Sequence, residues 1–119
     1  MDIFCKIING EIPSYTIYED DIVKVFLDVN QECVGHALII PKKHCENLYE
    51  IDEPTLNHIL KIAKQIANLL KEKLGFDGLT LVENNELGQE VKHFHLHLIP
   101  IYKDKPRQAI EKTYQKIIN

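Results

Sequence analysis

Apolar residues recur every third or fourth position between Leu56 and Leu74. Leu56, Ile59, Leu60, Ala63, Ile66, Ala67, Leu70 and Leu74 fall on one stripe, and Lys61, Lys64, Lys71 and Glu72 lie mainly off it. Asp52 suits an N-cap, Pro54 a first turn and Gly75 a stop, so the spacing predicts a long helix between Asp52 and Gly75. Ile62 and Leu69 widen the apolar face. Such a helix is either sunk in its own core or also meets a second subunit. Before it, Ile3, Phe4, Ile7 and Ile8 predict a short helix that closes at Gly10. YTIYED and DIVKVFLD read as two strands joined by an acidic turn. In the second, Val23, Val25 and Leu27 alternate with Lys24, Phe26 and Asp28. The apolar run His36 to Lys42 reads as a buried strand, and Lys43 to Ile51 as a loop with a helical turn. Leu79 to Asn84 and Val91 to Tyr102 read as further strands, the second of them long. Ala109, Ile110, Tyr114, Ile117 and Ile118 predict a closing amphipathic helix. Helix, strands, long helix, strands, helix is the order of an α+β domain with a mainly antiparallel, five-stranded sheet.

Residues 1–119 suffice for one domain with a real core and not for two. No apolar run is long enough to span a membrane, and the N-terminus lacks the basic start and long apolar stretch of a secretory signal. Cys5, Cys33 and Cys45 are odd in number and show no metal-like spacing. Reduced thiols in a cytoplasm are therefore expected. The net charge of −4 argues against a nucleic-acid polymer as partner. Residues 1–100 hold 9 Lys and no Arg against 16 acids. The only Arg is Arg107, so a phosphate site in the body of the domain must work without a guanidinium.

The pattern that no packing rule explains is HFHLHLIP, residues 93–100, which holds three of the six histidines. In a strand, alternate side chains share a face, so His93, His95 and His97 line one side and Phe94, Leu96 and Leu98 pack on the other. Three ligands on a flat strand would spread over about 13 Å, too far to share one ion, so a metal would take two and a third residue from elsewhere. Imidazole is also a nucleophile and proton carrier near neutral pH. Gly88 and the donors Asn84 and Gln89 stand just upstream and suit a sugar and a phosphate better than a metal. Asp28, at a strand end, can accept from sugar hydroxyls.

IFCKIINGEIPS, YEDD, VFLDVN, GHALIIPKKH and GQEVKHFHLHLIP occur in this order over residues 3–102. Together they resemble the histidine-triad (HIT) superfamily, in its branch of nucleotide-binding proteins; residues 103–119 form a helical tail beyond that core. The resemblance implies a HIT-like fold, a half-barrel completed when two copies form a homodimer with a continuous sheet. It implies hydrolysis at the α-phosphorus of a nucleoside 5'-monophosphate conjugate such as a phosphoramidate, with purine nucleotides as ligands. His95 matches the nucleophile, His97 the histidine at the phosphate, and His93 and His36 its supports. Asp28 matches the ribose acid, Phe26 and Val29 the residues flanking the base, and Ile3, Phe4 and Ile7 the pocket wall. Asn84, Gly88 and Gln89 match the ribose and phosphate loop. Cleavage of dinucleoside polyphosphates is the alternative activity, and a purine-nucleotide-binding regulatory dimer the alternative without catalysis. Glu90 stands beside the phosphate where many relatives carry Ser or Thr, and Ile101 where an arginine is frequent. Asp2 replaces the first cysteine of a Cys-x-x-Cys that sometimes holds zinc in bacterial relatives. With Cys5 alone, no metal and no cofactor is expected, although Asp2, Cys5 and His44 form a reduced set.

Overall fold

The computed structural model describes residues 1–119. Helix α1 (Ile3–Ile8) precedes strands β1 (Thr16–Glu19), β2 (Val23–Leu27) and β3 (Ala37–Pro41). Helix α2 (Glu53–Leu74), strands β4 (Gly78–Val82) and β5 (Leu96–Ile101), and helix α3 (Ile110–Ile118) follow. The strands form one sheet in the order β1-β2-β3-β5-β4, with every neighbour antiparallel. The predicted α+β class and five-stranded sheet are what the chain adopts.

Helix α2 starts and stops as its sequence dictates. Asp52 accepts from the Thr55 amide at 2.8 Å, and Gly75 takes the left-handed conformation at φ 64°. A side chain at that backbone angle would be strained, which is why glycine ends the helix. Its buried face is Ile59, Ile62, Ala63, Ile66 and Leu70. Leu60, placed on the stripe by sequence, is half exposed instead.

The sheet has two unlike faces because side chains alternate. Val23, Val25, Leu27, Ala37, Ile39, Leu96 and Leu98 point toward α2 and make the main core, which Phe76, Phe94 and Ile117 complete. Phe26, Leu38 and Ile40 point the other way and pack with Phe4 and Ile7 of α1, with Ile8, Ile12 and Val91 at the margin. A six-residue helix cannot cover a five-stranded sheet, so this second face keeps open space above β3 and β5. The last predicted strand is shorter than its pattern. Regular pairing begins at Leu96, and residues 93–95 approach it outside the ladder. Both sides of that approach are buried: His93, Phe94 and His95 are 0%, 2% and 6% exposed. Alternation holds only once the chain enters the sheet. Residues 43–51 hold the expected helical turn and no longer helix: the Asn47 carbonyl accepts from the Glu50 and Ile51 amides.

Candidate functional site

The open face holds a cavity of about 630 Å³, within the range of small-ligand sites. Twelve of the residues singled out in the sequence line it: Ile3, Phe4, Ile7, Phe26, Asp28, Val29, His36, Asn84, Gly88, Glu90, His95 and His97. They come from both ends of the chain and meet because β2, β3 and β5 are neighbours. The register sets His97 opposite Leu38 on β3 and Val82 on β4. His36 stands just before β3 and Asp28 just after β2, with the Asp28 amide donating to the His36 carbonyl at 3.0 Å.

Two predicted residues are not in the cavity wall. Gln89 is buried, and its side chain accepts from the Glu86 amide and donates to the Glu46 carbonyl. It holds its loop together instead of facing the cavity, because the turn needs those backbone groups satisfied. His93 lies behind His95. The neighbouring Asn85 is likewise occupied, by the Leu48 amide and the Glu83 carboxylate, which leaves Asn84 as the asparagine of the wall. Gly88 has φ 94°, so the loop depends on glycine for its backbone path.

The hydrogen bonds decide which ring nitrogens carry protons. His36 Nδ1 accepts from the Glu32 amide at 3.3 Å, so its proton is on Nε2. That Nε2 lies 2.9 Å from His97 Nδ1, which must accept, so the His97 proton is on Nε2. His95 Nδ1 lies 2.7 Å from the His93 carbonyl, which only accepts, so Nδ1 carries the proton and Nε2 the lone pair. The neutral site thus offers one nucleophilic nitrogen and, on the adjacent ring with centroids 4.9 Å apart, one N–H donor. Burial keeps both supporting rings neutral. It pushes His97 down to about 4, with the neighbouring His95 and His36 adding to the effect. It also holds His36 below the usual imidazole range, against the pull of Asp28 and Glu32.

Other groups fix these rings. Phe4 packs edge-on to His95 at 5.0 Å between centroids and to His93 at 5.9 Å. The Gln31 amide nitrogen donates at 2.7 Å to both the Asp28 and His36 carbonyls, and its oxygen accepts from the Gly35 amide. Gln31 clamps the loop that carries Asp28 and His36. Its identity carries no chemical signal, so only the folded loop reveals it. Asp28 Oδ2 stands 3.7 Å from His36 Nε2, and Oδ1 accepts from the Asn30 amide. Asp28, His36 and His97 gather closely enough to suggest metal ligands, but the direct bond between the two rings already uses their facing nitrogens.

A second group lies behind His95, where sequence spacing offers no complete ligand set. Asp2 Oδ2, Cys5 Sγ, His44 Nδ1 and His93 Nδ1 converge. Three separations among oxygen and nitrogen are 3.0, 3.3 and 3.3 Å, and the three involving sulfur are 3.4, 3.6 and 3.6 Å. A tetrahedral zinc ion with bonds of 2.0 to 2.3 Å spaces its donors by about 3.3 Å, or about 3.6 Å when one is sulfur. All six edges fit. The His93 Nε2 proton goes to the Pro41 carbonyl at 2.8 Å, the outer bond that typically orients a ligating imidazole. The Asp2 carboxylate supplies the fourth donor of the set.

Comparison with known proteins agrees with the fold and the motif. A family model described as HIT domain matches residues 9–104. An uncharacterized HIT-like protein of Methanocaldococcus jannaschii is 50% identical over 105 residues, 87% of this chain and 81% of that protein. The adenosine 5'-monophosphoramidase HNT1 of Saccharomyces cerevisiae is 42% identical over 105 residues, 87% of this chain and 64% of the yeast protein. A zinc-bound histidine triad family protein of Mycobacterium smegmatis superposes with a TM-score of 0.89 at 28% identity, covering 98% of this chain and 89% of that one.

Proposed function

The chain belongs to the HIT family, and from that premise we propose that it hydrolyses nucleoside 5'-phosphoramidates through a covalent nucleotidyl-histidine on His95. The observation that carries this reading is the pair of opposed ring nitrogens: a lone pair on His95 Nε2 beside a proton on His97 Nε2, at the wall of one cavity. The base lies against Ile3, Phe4, Ile7, Phe26 and Val29, and Asp28 accepts from the ribose hydroxyls. His95 Nε2 attacks the α-phosphorus. The substrate reacts in its N-protonated form: the P–N bond breaks, its electron pair goes to the positively charged nitrogen, and a neutral amine leaves. Water then attacks the same phosphorus, the bond to Nε2 breaks and its pair returns to the ring. The nucleoside monophosphate departs and the spare proton passes to solvent. His97 Nε2–H stabilises charge on a phosphoryl oxygen in both steps. Zinc, where bound, would be held by Asp2, Cys5, His44 and His93, and would serve as a structural tie between the N-terminus and the approach to β5.

Charge favours a phosphoramidate over a dinucleoside polyphosphate. No lysine or arginine lines the cavity, while Asp28, Glu32 and Glu90 do. Neither Glu32 nor Glu90 is engaged in an ion pair. Such a cavity disfavours each added negative phosphate. At equal concentration, an adenosine phosphoramidate is expected to turn over more than tenfold faster than a diadenosine polyphosphate, and Glu90→Gln to narrow that gap several-fold. Equal rates in the unaltered protein sink the charge argument. Nucleotide binding with no turnover of either substrate would favour a regulatory binding dimer instead.

The partner is a second copy of the chain. Strand β4 is an unpaired sheet edge, and Leu60 and Leu81 are half exposed on α2 and on that strand. Sedimentation is expected to give twice the 13.8 kDa chain mass; a monomer at micromolar concentration removes this part of the reading.

A further inference from the structure

The four convergent donors have an electrostatic difficulty that a cation resolves. His93 Nε2 must carry its proton, because it faces the Pro41 carbonyl. In the neutral ring Nδ1 is then a lone pair, 0% exposed, facing Asp2 Oδ2 at 3.3 Å and Cys5 Sγ at 3.6 Å. The Cys5 thiol and a His44 Nδ1–H can each place one proton among these acceptors, whereas a cation at their centre bonds all four atoms at once. The tetrahedral spacing supplies the place for that charge.

Asp2 has a second task at the same time. Its Oδ1 accepts from the Cys5 amide at 2.8 Å and caps α1, while Oδ2 points into the ligand set. A cysteine at this vertex would ligate without capping in this way. Helix α1 has only six residues, too few to stand without its cap and its tertiary contacts. It also carries Phe4, the ring packed against both His93 and His95.

We propose that Asp2 couples a divalent metal, bound with Cys5, His44 and His93, to the order of α1 and so to the shape of the nucleotide cavity. Two routes lead from the ligand set to the nucleophile. One runs through Asp2 and the cap to Phe4. The other runs through the His93 main chain, whose carbonyl fixes the proton of His95. The carboxylate makes the set harder than one with two thiolates and leaves it open to zinc or cobalt(II).

The test uses the full chain with zinc or cobalt(II) alone as ligand. Stoichiometric cobalt(II) is expected to give intense tetrahedral d–d bands and a thiolate-to-cobalt charge-transfer band. Removing the metal with a chelator is expected to raise amide exchange over residues 3–9 by at least tenfold and to weaken AMP binding several-fold. Asp2→Asn separates the two tasks, since asparagine caps as well as aspartate but ligates poorly. It is expected to lose metal affinity by more than tenfold and to show fast exchange at metal concentrations that protect the unaltered protein, with protection returning at higher zinc. Asp2→Cys is expected to bind metal tightly and still exchange faster in α1. No stoichiometric binding, or identical exchange in α1 with and without metal, overturns the proposal. The AMP arm alone rests on the function proposed above. Metal-dependent exchange without any AMP binding would therefore count against that function and leave the coupling in place.

Discussion

Replacing His95 with alanine is expected to lower kcat for an adenosine phosphoramidate by at least about 10⁴-fold, the scale seen when a covalent nucleophile is deleted. The variant should still fold. His95 contributes one hydrogen bond, from Nδ1 to the His93 carbonyl, and packs at the cavity wall beside Phe4. Nucleotide affinity should change only a few-fold, because Asp28 and the apolar wall remain. Rapid quench of the unaltered protein with labelled substrate should trap the nucleotide on His95, and the variant should trap none. Retention of more than about a tenth of kcat would mean that another group attacks phosphorus, and the proposed role of His95 would fall.

The second large effect lies one residue away and acts on stability. Phe94 is 2% exposed and belongs to the core between the sheet and α2. Its amide donates to the Cys45 carbonyl at 2.8 Å, tying the approach to β5 to the segment before α2. Phe94→Ala removes the ring and leaves a cavity, at a cost of about 3 to 5 kcal/mol. A domain of this size has a total stability of roughly 5 to 15 kcal/mol, so the loss is a large share of it. Urea unfolding followed by circular dichroism reads the change as a drop in midpoint at unchanged slope. A cost under about 1 kcal/mol would show that the surrounding side chains close the gap. The two expected effects separate cleanly: loss of turnover at His95 and loss of stability at Phe94.

Much of this was legible in one dimension. Helix α2 announces itself through its stripe, its Asp52 cap and its Gly75 stop, all local features whose physics needs no distant partner. The strands β2 and β3 follow from alternation and from an unbroken apolar run. The triad is legible because three histidines at a period of two have no ordinary packing reason. The same alternation predicts too long a last strand: it begins at His93, before pairing starts at Leu96, because sequence period does not report hydrogen bonding. Leu60 fits the helical stripe by spacing, yet whether a stripe position is covered depends on what packs over it.

The sequence by itself determined the class of fold, the direction of the α2 face and the identity of the imidazoles, because these rest on local propensity and residue type. Only the tertiary structure decided which nitrogen of each ring is free, since that depends on the carbonyl or amide facing the other nitrogen. It also decided that Asn84 lines the cavity while Gln89 does not. It brought Asp2 and Cys5 against His44 and His93, residues up to 91 positions apart. A ligand set is a matter of distance in space, and Asp2 in place of a cysteine reads as a loss until the fold shows its carboxylate among the four convergent donors.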